Sequence, residues 1–169
     1  IFSNWPKHRY AMMQWHLANN TMVRKEKFQY FVRVFLGKAN HGQLVEKLTQ
    51  RFSYLSYDAI VKCPMVDGAL EFLDVCVDKV QMSLISATPQ NELDNILKAR
   101  LLTKYFKEIR GGPINKEEVL KYIICNNNIT PDEMLYIGDC PEDQLVAKTL
   151  GCNFIGRKSS RELNPIANS

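Results

Sequence analysis

From residue 80 onward, short apolar runs alternate with amphipathic segments, and the runs end in polar turns. That alternation limits the fold more than any other feature of the chain. A run of 80–86 reads as a buried strand, and 89–101 as a helix with Pro89 in its first turn and Leu93, Ile96, Leu97 and Leu101 on one face. Residues 108–110 read as a strand ended by Gly111-Gly112-Pro113. Asn115 then opens a helix with Glu118 in the capping-box position and Val119, Leu120, Ile123 and Ile124 inside. Residues 134–137 and 153–155 read as two more strands, separated by a helix over 142–150 that Gly151 stops. Strands alternating with helices give an α/β fold: a Rossmann-like parallel sheet covered on both faces, with ligands bound at the carboxyl ends of its strands.

The first part of the chain is patterned differently. Apolar residues recur at helical spacing in three groups: Tyr10, Met13 and Leu17; Phe28, Phe31, Val32 and Phe35; Leu44, Val45, Leu48 and Phe52. Gly37 and the Asn40-His41-Gly42 cluster separate the groups, so three short helices are expected over 1–56. A further helix over 67–79 should turn Ala69, Leu70, Phe72, Leu73 and Cys76 inward. The organisation expected is a helical subdomain over 1–56, an α/β core over 57–157 and a loosely ordered tail over 158–169.

Composition excludes several classes. The net charge of +4 is too small for a nucleic-acid signature, and no uncharged run is long enough to cross a membrane. The chain opens on Ile1 with no signal-peptide pattern. Cys63, Cys76, Cys125, Cys140 and Cys152 show no C-x-x-C spacing, which reads as reduced thiols in a cytoplasmic compartment. Absence of G-x-G-x-x-G and of G-x-x-x-x-G-K-[ST] counts against a nucleotide-binding module.

Three polar features fall at strand ends. Ser86, followed by Ala87-Thr88-Pro89, offers a hydroxyl and backbone N–H groups to an anion, with Thr88 as the expected helix cap. Lys116 follows the glycine turn and could hold a phosphate as a point charge. Asp139 and Asp143 bracket the turn out of the strand at 134–137, a spacing that suits an oxygen-preferring cation such as magnesium. The same acidity would equally serve a helix N-terminus.

The order of these features, Ser86-Ala87-Thr88-Pro89, then Gly111-Gly112-Pro113 with Lys116, then Gly138-Asp139 with Asp143, resembles motifs II, III and IV of the haloacid dehalogenase superfamily. The resemblance covers residues 60–157, in the phosphoglycolate phosphatase and β-phosphoglucomutase-like branch, and extends more loosely to that branch's small helical cap over 1–56. It implies that Ser86 and the Ala87 N–H bind the transferring phosphoryl group and that Lys116 neutralises it. Asp139 would bind Mg2+, with Asp143 supporting it directly or through water. The activity implied is hydrolysis of a small phosphomonoester through an aspartyl-phosphate. The family's first motif, Asp-x-Asp-Gly, does not occur in this sequence. Met65-Val66-Asp67-Gly68 is a poor imitation, preceded by no plausible strand. As written the chain is expected to be inactive, and a non-catalytic domain that binds a phosphorylated ligand or a protein is the alternative. The resemblance implies that the strand of this motif lies between those of motifs II and IV and precedes the cap; without it two buried strands would lack ladder partners, so the motif is expected in residues upstream of Ile1.

Overall fold

The computed structural model describes residues 1–19, 22–38 and 42–157. Asn40 and His41, expected as a helix break, and the tail over 158–169 lie outside the described residues. Two compact units divide the chain: one comprises Ile1–Met82 with Pro89–Lys107, the other Ser83–Thr88 with the described residues from Glu108 onward.

In the first unit a 3-10 turn, Phe2–Asn4, precedes α1 (Arg9–Ala18), α2 (Arg24–Tyr30) and α3 (Gly42–Lys62). A π-helical turn, Phe31–Phe35, extends α2. Its core consists of Met12, Phe28, Phe31, Val32, Val45 and Leu48, packed by Trp15, Phe35, Leu44 and Phe52 among others. The stripes expected on α2 and α3 are therefore the buried ones. That of α1 is not: Tyr10, Met13 and Leu17 are exposed, and Met12 points inward. The indole of Trp15 explains the rotation, because it stacks on Tyr30 at 4.1 Å and meets the edge of Phe31 at 5.1 Å. The third helix is not short; it continues to Lys62, through residues 61 and 62, so no strand precedes Met65.

Two helices complete this unit. The first, α4 (Ala69–Cys76), is shorter than the span expected over 67–79, and Leu70 and Phe72 are exposed rather than inward-facing. Ala69, Leu73 and Cys76, at i, i+4 and i+7, form its half-buried stripe. The second, α5 (Gln90–Ala99), buries Leu93, Ile96 and Leu97. Leu101 lies beyond the helix end at φ 58°, which turns it out of the stripe. The Arg24 guanidinium ties α2, α3 and α5 together: it donates to Ser53 Oγ at 2.7 Å and to Glu92 at 2.8 Å, and lies 4.7 Å above the Phe52 ring. Arg100, just past α5, donates to the carbonyl oxygens of Ile60, Val61 and Cys63 at the end of α3.

The second unit holds the strands. These are β1 (Ser83–Pro89), β2 (Glu108–Gly112), β3 (Leu135–Gly138) and β4 (Asn153–Gly156), with α6 (Lys116–Asn126) and α7 (Pro141–Leu150) between them. Of β1, residues 83–88 belong to this unit. The strands form two pairs among the described residues, β1 with β2 and β3 with β4. The second pair is parallel, with Leu135 opposite Asn153 and Ile137 opposite Ile155. Each helix has the punctuation its sequence called for. Asn115 accepts the N–H groups of Glu117 and Glu118 through its side-chain oxygen, and Gly151 ends α7 at φ 76°.

Two expectations need correction. First, the strand placed at 80–86 begins three residues later and runs through Pro89. Thr88 consequently sits in extended chain and does not cap α5; Pro89 occupies the N-cap position without a side-chain bond. Second, the expectation of a sheet covered on both faces fails for the β3–β4 pair. Alternate residues point to opposite faces. Tyr136 and Phe154 are half-buried, whereas Leu135, Ile137 and Ile155 are exposed. Among the described residues no helix is long and apolar enough to cross a membrane.

Candidate active site

The residues singled out at strand ends all lie in the second unit, in two groups. Ser86 and Ala87 sit near the end of β1, against β2. The approach is close enough to require a glycine: a Cβ on Gly112 would lie 2.6 Å from the Ala87 carbonyl oxygen. Ser86 Oγ accepts the Thr88 N–H at 3.1 Å. A hydroxyl that accepts in this way keeps its own O–H to donate, which is what an anionic oxygen requires.

The other group assembles where β3 passes into α7 and where α6 begins. Lys116 is the first residue of α6. A cation there opposes the helix dipole and calls for compensation. Compensation comes from Asp143 Oδ1, 2.6 Å from the Lys116 ammonium, and from Glu142 at 3.6 Å. Asp143 is itself the third residue of α7 and accepts the N–H of its N-cap residue, Cys140. One side chain thus serves both the N-terminus of α7 and the ion pair with Lys116.

Five donors surround Asp143. Lys116 Nζ and the Tyr136 hydroxyl, at 2.7 Å, share Oδ1. The N–H groups of Asp139 and Cys140, at 3.2 and 3.3 Å, and the Cys140 thiol at 3.0 Å share Oδ2. Gly138 leaves the room: a Cβ there would lie 2.5 Å from Asp143 Cβ. Sequence reasoning missed Tyr136, Cys140 and the role of Gly138. Tyr136 was counted as one more strand residue, although a phenol two positions before a glycine turn is a polar tip aimed along the strand toward that turn.

The electrostatics follow from burial and these donors. Burial alone would raise the Asp143 carboxyl, but the hydrogen bonds from Cys140, Lys116 and Tyr136 and the Lys116 charge outweigh it and hold it at about 2, below its ordinary 3.8. Burial acts to lower Lys116, yet the Asp143 bond and charge raise it above its usual value. Burial, then the Asp143 bond, pushes the Tyr136 phenol up; the same two effects push up the Cys140 thiol, which therefore stays neutral. These shifts carry a pH dependence. The depressed carboxyl stabilises fully above pH 3.8 and loses its contribution as pH falls toward about 2. The raised lysine contributes below 10.5 and fails only as pH rises through its folded value. Urea unfolding should thus show this pair's contribution flat across neutral pH and shrinking by about 1–2 kcal/mol between about pH 4 and 2, solvent screening allowed for. In Asp143→Asn that acid-side loss should be reduced; an unchanged slope would refute the assignment.

Asp139, Cys140 and Asp143 offer ligand atoms within 4.8 Å of one another. An oxygen-preferring divalent cation fits this set through carboxylate oxygen, with the neutral thiol a poor partner for it. Both oxygens of Asp143 already accept hydrogen bonds, and through them Asp143 fixes the turn out of β3.

Parallel strands with helices between them and polar residues gathered at the strand ends define a Rossmann-like α/β fold. Residues 16–157 match the family described as haloacid dehalogenase-like hydrolase. The chain belongs to that family. A phosphoglycolate phosphatase of Pasteurella multocida is 26% identical over 143 residues, 79% of this chain and 63% of that protein. One from Vibrio parahaemolyticus is 30% identical over 80 residues, 44% of this chain and 35% of that protein. The chain thus spans from about a third to under two thirds of the length of these curated relatives. Among solved structures, a predicted phosphoglycolate phosphatase from Haemophilus somnus superposes with a TM-score of 0.65 at 16% identity, over 78% of this chain and 62% of its own. A HAD-superfamily hydrolase, subfamily IA, from Geobacter sulfurreducens gives 0.60 at 19% identity, over 85% and 70%. These likenesses bear out the Rossmann-like α/β fold.

Proposed function

We propose that this chain forms the phosphate- and Mg2+-binding part of a phosphatase for small phosphomonoesters. The observation that carries the reading is the ion pair of half-buried Lys116 with buried Asp143, beside Asp139 at the carboxyl end of β3. Phosphoryl transfer requires charge neutralisation and positioning above all, and this group supplies both. Ser86 and the Ala87 N–H would hold phosphoryl oxygens, Lys116 would neutralise them, and Asp139 would take Mg2+, which supplies a Lewis acid to the phosphoryl group. The names of the relatives favour a small phosphorylated acid such as phosphoglycolate as substrate. Residues 1–56 would act as the helical cap and 57–157 as the core. An attacking aspartate would have to come from outside these 169 residues, which contain no Asp-x-Asp. That lack favours, as a second reading, a domain that binds a phosphorylated ligand without turning it over.

Titration calorimetry of this chain with inorganic phosphate and Mg2+ tests the reading. Mg2+-dependent phosphate binding is expected, abolished in Lys116→Met and in Asp139→Asn. Absence of binding of either ion would remove the proposal. Turnover of phosphoglycolate by these 169 residues alone would overturn the need for an aspartate from elsewhere.

A further inference from the structure

We propose that Tyr136 is a positioning residue, whose hydroxyl fixes the direction in which the Lys116 ammonium leaves the shared Asp143 oxygen. The inference rests on the reading of Lys116 as the phosphate-neutralising group. A lysine ammonium is a compact charge on a flexible four-carbon stem, with three donors and no preferred plane. Left alone with a carboxylate it can bridge both oxygens or move between them. Asp143 denies it that freedom. Oδ2 already takes the N–H groups of Asp139 and Cys140 and the Cys140 thiol. Oδ1 takes the Tyr136 O–H at 2.7 Å, which leaves one side of that oxygen for Lys116 at 2.6 Å.

The phenol can impose this because it is itself held. Tyr136 lies on β3, half-buried, with its ring edge against Phe154 at 6.0 Å between centroids. Its hydroxyl is the one hydrogen-bonding group the side chain owns, and it is spent on Asp143. With one N–H of Lys116 directed at Oδ1, its other two donors face the Cys140 Sγ at 3.7 Å and Glu142 at 3.6 Å, long contacts that a phosphoryl oxygen would displace. Removing the O–H while keeping the ring should free the ammonium to wander without emptying the core.

Tyr136→Phe in the whole chain tests this with three measurements: the dissociation constant for inorganic phosphate in Mg2+, that for Mn2+ as a probe of the metal subsite, and the 1H–15N signal of the Lys116 ammonium. Phosphate binding is expected to weaken by about tenfold, the scale seen when a group supporting a ligating side chain is lost. The Mn2+ constant should change far less, because Asp139 is the ligand proposed for the metal. The Lys116 signal should broaden or shift. A generally loosened fold would weaken both ions together, and that result overturns the proposal, as does an unchanged phosphate constant with an unchanged Lys116 signal. Should the parent chain bind no phosphate, the functional reading fails by itself. The Lys116 signal then decides the positioning role alone: altered in the variant it supports the role, unaltered it refutes it.

Discussion

Asp143→Ala is expected to lower the unfolding free energy by about 3 kcal/mol, and Lys116→Met by roughly half as much. The asymmetry is the informative part. Removing the carboxylate leaves a half-buried ammonium, a phenol, a thiol and two backbone N–H groups without their acceptor at once, since all five donate to it. Breaking a buried ion pair from one side costs about 3–5 kcal/mol where the survivor is trapped. Lys116 is not fully trapped: its side chain is 16% exposed, and its stem can carry the charge to water. That places the alanine variant at the lower end. Removing Lys116 instead leaves Asp143 with four donors, so its charge stays solvated by the protein. For a chain of this size the alanine variant should melt about 6–12 °C lower. Urea and thermal unfolding of both variants check the order; a Lys116 variant less stable than the Asp143 variant would show that the ammonium, not the carboxylate, is the hub.

Much of this arrangement is legible in the sequence, for identifiable reasons. Turn chemistry is local, so Asn115 before α6 and Gly151 after α7 mark their helix ends without any knowledge of the rest. The ordered placement of Ser86, Lys116, Asp139 and Asp143 near successive strand ends is legible because it is a matter of residue type and spacing along the chain. What the sequence hides is set by contacts distant along the chain. The inward face of α1 depends on a stack between Trp15 and Tyr30, fifteen residues of separation that helical periodicity cannot register. The start of β1 slides by three residues because Val80 and Met82 are apolar enough to look like strand, yet Val80 is exposed. Two strand pairs stand where a continuous sheet was expected from alternation alone. The family resemblance implies a reason: the strand that carries Asp-x-Asp-Gly would lie between those of motifs II and IV, and no such motif is in this sequence. Exposed Leu135 and Ile137 on β3 belong to the same picture, since a strand patterned for burial on both faces keeps that pattern whether or not a neighbour covers it.

Gly138→Ala should cost about 2–3 kcal/mol and should weaken phosphate binding together with stability. Glycine here is required by space rather than by backbone conformation. An added methyl would stand 2.5 Å from Asp143 Cβ and 2.7 Å from Oδ2. Such a clash is relieved cheaply when the neighbour is the free end of a flexible side chain. Asp143 is the opposite case: its carboxylate is held by five donors on two elements, and its backbone is the first turn of α7. The methyl must therefore lift the start of α7 or drive the carboxylate from Lys116, and either movement disturbs the candidate site. Gly151→Ala provides the contrast. There φ is 76° and the nearest atom to a new Cβ is 3.9 Å away, on Pro131. Its cost is the left-handed strain alone, about 1–2 kcal/mol, with no path to Lys116. The two alanine variants should thus both be destabilised, but only Gly138→Ala should lose phosphate affinity beyond what its stability explains. If the two variants behave alike in phosphate titration, Asp143 is not the fixed point around which this site is built.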